Sequence, residues 1–433
     1  MAMQKFPLMG LLLLLTIVTS QTTADGPPET ANEPVCPNMD SVTDLSRAYF
    51  PKGFLFGTAT AAYQVEGAVY KTCRGRSMWD VFCKKYPSKC LNIYFSYYLL
   101  TFADIKLMKN LNTDAFRMSI AWPRIFPYGK KENGVSEAGV KFYHDVLDEL
   151  IKNDITPFVT IFHWDTPQDL EDEYGGFLDE KIVKDFRDYA EVLFKEYGGK
   201  VKHWITINEP WVYAHAGYDV GKKAPGRCSE HAKGKDVKGD CLGGKSGDEV
   251  FIVGHNLLLA HAEAVDAFRN CEKCKGGKIG IAHSPAWFEP FASKDKDKNA
   301  VSLGRSLDYM LGWHLEPTMN GDYPKTMKEK LKGKLKEFTP EQKKKLEKST
   351  DFLGLNYYTS TFIKDIEKPD EKLPSFRLYA GSEWNWTNSE DYRIGSKPDT
   401  ADLSIYSRGL RELLKYVKDK YGNQEIFIME NGN

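Results

Sequence analysis

Apolar and polar positions follow two rhythms along this chain. Short runs rich in Phe, Ile, Val, Thr and Tyr lie at 54–62, 114–120, 156–164, 203–208, 278–283, 351–358 and 425–429, with the length and composition of buried β-strands. Longer stretches of helical period separate them. The stretch 143–153 puts Val146, Leu147 and Leu150 on one face, 182–197 does the same with Phe186, Tyr189, Val192 and Leu193, and 250–270 and 405–421 are similar. Such alternation predicts a parallel sheet covered by helices. No Gly-x-Gly-x-x-Gly follows the first run, where Gly57, Thr58, Ala59 and Thr60 stand instead. A doubly wound dinucleotide fold is therefore set aside in favour of a (β/α)8 barrel of the TIM type. The seventh run ends just short of the last residue, so the barrel is expected to be incomplete, lacking its eighth strand and last helices. Two segments break the rhythm: 91–102 (LNIYFSYYLLTF), apolar and aromatic enough for a buried helix, and the lysine-rich 325–348, expected to be a solvated helical face.

The N-terminus adds an address. Lys5 precedes an apolar run from Leu8 to Val18, followed by the small residues Thr22 and Ala24. This pattern is that of a signal peptide, 1–24, because about a dozen apolar residues fall short of the ~20 that span a bilayer. Residues 25–48 are expected to be an extended lead-in and 49–433 a single barrel domain. The 59 Lys and Arg against 60 Asp and Glu call for neither nucleic acid nor an anionic membrane as partner. In a secretory compartment some of the eight cysteines should pair. Cys228 and Cys241, flanking a Gly- and Lys-rich loop, are the expected disulfide. The Cys271–Cys274 spacing has no second such pair and no clustered histidines beside it, so no metal site is expected. Asn385 opens an Asn-Trp-Thr sequon in a polar stretch read as a loop that could carry a glycan.

Barrel enzymes build their sites at the C-terminal ends of the strands. The polar side chains that fall there are Gln64, Arg117, His163, Asn208, Glu209, Asn356, Tyr358 and Glu430. A glutamate at a strand end is, alone, more often structural. Two of them with Gln, His and Asn for company suit glycoside hydrolysis, in which one carboxyl protonates the leaving oxygen and the other attacks the anomeric carbon or activates water. A separation of about 5 Å means retention, and about 6.5–9.5 Å inversion. Glu66 and Trp122 are read as structural, and Tyr357 as core, because its neighbour Tyr358 must face the other way.

Five stretches together resemble plant β-glucosidases of glycoside hydrolase family one: FLFGTATAAYQVEG at 54–67, RMSIAWPRI at 117–125, HWDTPQDL at 163–170, TINEP at 206–210 and MENG at 429–432. The likeness runs from about Tyr49 to the last residue except over 91–103, and looks closest to the branch resident in the endoplasmic reticulum and its derived bodies. It implies a retaining β-glucosidase acting on β-D-glucosides of small aglycones. Glu209 would be the acid/base and Glu430 the nucleophile. Gln64, His163, Asn208 and Tyr358 would bind the sugar, while Arg117 and Asn356, with Tyr358, would orient Glu430. No cofactor is implied, and oligomerisation is left open. Glutamate at 209, where the related myrosinases carry glutamine, favours O-glucosides. The family continues past the nucleophile through segments that hold the outer hydroxyls of the sugar. The competing expectation is therefore an impaired, truncated isoform that binds sugar or assembles with full-length glucosidases.

Overall fold

β-Branched and aromatic residues at alternate positions give strands their two packed faces, and each of the seven runs forms one. In the computed structural model, which describes residues 46–67, 74–90, 102–230, 241, 243–292, 296–366, 374–398 and 403–431, there are ten strands. They are β1 (Gly57–Ala59), β2 (Ala115–Ser119), β3 (Thr156–Phe162), β4 (His203–Asn208), β5 (Lys278–His283), β6 (Trp287–Pro290), β7 (Phe352–Asn356), β8 (Ser360–Asp365), β9 (Ser382–Asn385) and β10 (Ile426–Glu430). One parallel sheet runs in the order β1-β2-β3-β4-β5-β7-β10. Among the described residues β1 and β10 do not pair with each other. The strands β6, β8 and β9 form a small second sheet that the sequence reading missed.

The four expected helices are Glu137–Lys152, Lys181–Tyr197, Glu249–Arg269 and Ser407–Tyr421. Helix 181–197 buries Ile182, Phe186, Tyr189, Leu193, Phe194 and Tyr197 at helical spacing, and Phe194 meets Trp204 of β4 edge to face at 5.0 Å. The barrel's inside is a separate, smaller core of Ala115, Phe158, Ile205, Ala282, Phe352 and Met429. There Phe158 stacks on His203 at 4.2 Å, and Phe427 meets Phe158 and Phe352 edge-on at 5.1 and 5.2 Å. This aromatic plug fills the lower barrel, so polar side chains can converge only above it.

Two strands break register just before their last residue. The β4–β5 ladder shifts between Ile205 and Asn208, and the β10–β7 ladder between Ile428 and Glu430. Such irregularities turn the residues beyond them. They occur on the two strands that deliver the glutamates.

The compact unit containing the barrel runs over residues 56–431, and the described residues 46–55 belong to the other. Described by itself, the latter shows a short 3-10 turn at Arg47–Tyr49, capped by the Ser46 hydroxyl, which accepts from the Ala48 N–H. The signal-peptide reading and the 91–101 segment lie outside the described residues, whereas 102–110 is helical. The lysine-rich stretch carries two short helices, Lys325–Lys330 and Pro340–Leu346. Its ammonium groups are matched to acids of other segments: Lys343 to Asp322 at 2.8 Å, Lys334 to Asp248, Lys336 to Glu180 and Lys345 to Glu263.

Candidate active site

Pro210 lacks an N–H and suits the first turn of a helix, so the chain leaves β4 through Glu209 straight into the helix Pro210–Tyr218. Glu209 takes the left-handed conformation (φ 48°), costly for a residue with a Cβ, and its N–H donates to the Ala282 carbonyl at 2.7 Å. Glu430 ends β10 opposite Asn356 of β7. The Asn356 amide joins the two: Nδ2 donates to Glu209 Oε1 at 2.7 Å and to Glu430 Oε1 at 3.0 Å. Those two oxygens therefore lie at most about 6 Å apart, which suits the close carboxyl pairing of a retaining site.

The remaining polar residues close around Glu430. Arg117 donates from Nη1 to Glu430, from Nη2 to Asn208 Oδ1 at 2.5 Å and from Nε to Thr160 at 3.0 Å. The Tyr358 hydroxyl donates to the second Glu430 oxygen, and His163 Nε2 stands 3.6 Å from the first. Tyr357, one residue along, faces the outer core and donates its hydroxyl to the Tyr406 carbonyl at 2.8 Å.

These surroundings drive the two carboxyls apart. Burial pushes Glu209 up to about 7, the negative charge of Glu430 adds to it, and the Asn356 hydrogen bond with the charges of Lys223 and Arg117 only partly opposes. Burial acts on Glu430 in the same upward sense, but His163, Arg117 and Tyr358 outweigh it and hold Glu430 well below the usual carboxylate range. One carboxyl keeps its proton near neutrality while its neighbour is ionised. Such a split is what general acid catalysis beside a carboxylate nucleophile requires.

Seven of the eight expected residues thus meet in one network. Gln64 stands apart on the short helix Ala62–Val65 after β1, exposed, and among the described residues no hydrogen bond joins it to the carboxylates. Sequence reasoning missed two neighbours. Trp164, at φ 70°, donates its indole N–H to the Asn208 carbonyl at 2.6 Å. Lys223 sets its ammonium 5.1 Å from the centre of the Trp164 ring. Trp164 lies inside a quoted motif, but Lys223 sits in a turn with no pattern to mark it. Glu66 and Trp122 lie in the buried frame: Glu66 accepts from Arg124 at 2.8 Å and from Tyr143 at 2.9 Å, and Trp122 stacks on Tyr189 at 4.9 Å.

The sulfur and sequon expectations resolve individually. Cys228 and Cys241 are joined, as are Cys83 with Cys90 and Cys271 with Cys274. Among the described residues no group of three His, Cys, Asp or Glu side chains could hold a metal ion, and no helix is long and apolar enough to cross a membrane. The loop reading of Asn385 is corrected. It ends strand β9, paired with Phe362 of β8, and its Nδ2 is shielded from solvent without a hydrogen-bond partner. Edge residues of this small sheet alternate too briefly to read as a strand.

A family model, glycosyl hydrolase family 1, matches residues 46–433. The chain belongs to glycosyl hydrolase family 1. Within that family it is 63% identical over 442 residues to β-glucosidase 24 of Arabidopsis thaliana, covering all of this chain and 80% of that protein. Among solved structures, a rice β-glucosidase superposes with a TM-score of 0.82 at 38% identity, covering 89% of this chain and 80% of the rice chain. A variant of that rice enzyme in a covalent complex with glucose matches equally well, at a TM-score of 0.82. The seven-stranded parallel sheet with its helical cover is the (β/α)8 family-1 barrel, and the protein is a glycoside hydrolase.

Proposed function

We propose that this family-1 protein is a retaining β-glucosidase that releases glucose from β-D-glucosides of small aglycones by double displacement. The observation that carries this reading is the single Asn356 amide shared by Glu209 and Glu430, which supports a close carboxyl pair of the kind direct attack needs. In the first step Glu209 gives its proton to the glycosidic oxygen as a Glu430 oxygen forms a bond to the anomeric carbon and the aglycone leaves. In the second, Glu209, now ionised, takes a proton from water, whose oxygen displaces Glu430. The nucleophile needs its negative charge, which Arg117, His163 and Tyr358 sustain. The acid needs its proton, which burial and the neighbouring charge sustain. On this reading His163 and Asn208 would hydrogen-bond the sugar hydroxyls, and Gln64 would reach them from the rim. The two carboxyls suffice for this chemistry without a cofactor. The N-terminal pattern supports entry into the secretory pathway, with the endoplasmic reticulum or its derived bodies as destination.

The test is a trapping experiment. An activated 2-deoxy-2-fluoro-β-glucoside should add one fluoroglucosyl group, and peptide mapping should find it on Glu430. A label elsewhere, or none together with no turnover of an aryl β-glucoside, overturns the reading.

A further inference from the structure

Asn356 faces more acceptors than it has hydrogens. Its Nδ2 carries two, and three oxygens lie within reach: Glu209 Oε1 at 2.7 Å, Glu430 Oε1 at 3.0 Å and Asn208 Oδ1 at 3.1 Å. The Asn208 oxygen already accepts from Arg117 Nη2 at 2.5 Å, so it has least need of Asn356. Among the described residues no donor reaches the other end of the amide: Oδ1 is buried in a residue that is wholly inaccessible to solvent. With no donor fixing Oδ1, the tilt of the amide is set by the competition among its acceptors. Among the described residues no other side chain donates to both Glu209 and Glu430.

We infer that Asn356 is a positioning residue that changes allegiance during the reaction, sharing its hydrogens between Glu430 and Glu209 in the free enzyme and giving them to Glu209 once Glu430 has become an ester. This rests on the two-step reading above. A carboxylate is a strong acceptor and an ester oxygen a weak one. When the Glu430–glucose bond forms, the pull from that side weakens just as Glu209, having lost its proton to the aglycone, becomes the stronger acceptor. The amide then stabilises ionised Glu209, the form that must take a proton from water. Asn356 therefore supports the second step more than the first. The other charged or titratable groups facing the pair are Arg117 on β2, His163 after β3, Lys223 beyond the helix Pro210–Tyr218 and Tyr358 after β7. Arg117, His163 and Tyr358 bear on Glu430 directly, and Lys223 acts on both carboxyls through charge alone.

The experiment compares Asn356→Ala and Asn356→Asp with the unmodified chain, using 2,4-dinitrophenyl β-D-glucoside, whose leaving group needs no proton. With this probe kcat reports the second step and kcat/KM the first. Both variants should lose about tenfold or more in kcat, the range of a hydrogen bond to a charged group, and less in kcat/KM. Glycosylated protein should accumulate in acid-quenched samples by mass spectrometry. The acid limb of kcat should move to higher pH, because Glu209 ionises less readily without the amide. In a Glu209→Gln background the Asn356→Ala change should cost nothing further in the second step. Equal losses in kcat and kcat/KM with an unmoved acid limb would show that Asn356 only orients Glu430, and overturn the inference. Loss of cooperative unfolding in both variants would make the residue structural and do the same. A silent unmodified chain overturns the two-step reading itself, and is thereby distinct from either.

Discussion

Glu209 and Glu430 have the same side chain and opposite protonation, so their surroundings dictate the pH profile. In the proposed mechanism Glu209 is protonated for the first step and Glu430 ionised, and the Glu209 value of about 7 places the alkaline limb of kcat/KM near neutrality. The depressed value of Glu430 puts the acid limb well below the usual carboxylate range. Lys223 opposes the rise of Glu209 through its positive charge. Lys223→Met should therefore move the alkaline limb of kcat/KM to higher pH and the acid limb in the same direction, because the ammonium bears on both carboxyls; an alkaline limb that stays put or moves down refutes the electrostatic account. Glu430→Gln should abolish turnover of every substrate. Glu209→Gln should lose about 10²–10⁴-fold on alkyl glucosides, yet keep most of the first step on dinitrophenyl glucoside, which needs no acid. A rate loss that does not depend on the leaving group rules out the acid role. At this scale the sequence was most legible: seven of eight expected residues meet in one network, because a polar side chain closing an apolar strand has few places to go. Lys223 was illegible, since it arrives from a turn and acts by charge over a distance.

Between the barrel and its helices lies a layer of buried histidines that periodicity could not foresee. Burial pushes His261 and His283 down to about 3, and His314 well below its usual value. His261 spends its ring nitrogens on the Thr206 hydroxyl at 2.7 Å and the Ser349 hydroxyl at 3.0 Å. All three are neutral in the folded chain, whereas the unfolded chain takes up protons as pH falls through about 6.5. Stability is thus intact above that pH and drains away between about 6.5 and about 3. Asp165 and Glu171, each raised to about 7 by burial, act in the opposite sense over the upper part of that range. The informative quantity is therefore a difference. In urea titrations from pH 7 to pH 4, His283→Gln should lose less stability on acidification than the unmodified chain, and parallel curves for the two would dismiss the account. The elements themselves were read unevenly. Runs such as 203–208 and 278–283 became β4 and β5 residue for residue, because strands buried on both faces are almost continuously apolar. The strand β8 was lost because Ser360 follows so closely on the 351–358 run that a single alternating pattern hides the change of sheet.

Across the whole molecule the two ends of the barrel divide stability from chemistry. The lower end is an aromatic plug with no polar group that the reaction uses, and the upper end is a hydrogen-bonded set of charges poised above it. What joins them is register. Met429 belongs to the plug and Glu430 to the site, although adjacent residues of a regular strand face opposite sides. The shift between Ile428 and Glu430 lets both face inward, and that between Ile205 and Asn208 does similar work on the strand leading to Glu209. No composition or spacing encodes these shifts, because they arise from the pairing of strands distant in sequence. The division makes a paired prediction. Phe352→Ala removes a fully buried ring that packs on Phe427 at 5.2 Å, and should cost about 3–5 kcal/mol of stability in urea titration. The chain that remains folded should keep kcat and KM within about twofold. Arg117→Lys removes the fork that reaches Glu430, Asn208 and Thr160 at once, and should cost about 10²-fold or more in kcat with a far smaller change in stability. If the Phe352 variant loses activity per folded molecule as severely as the Arg117 variant, the plug and the site are one cooperative unit, and the separation argued from their packing does not hold.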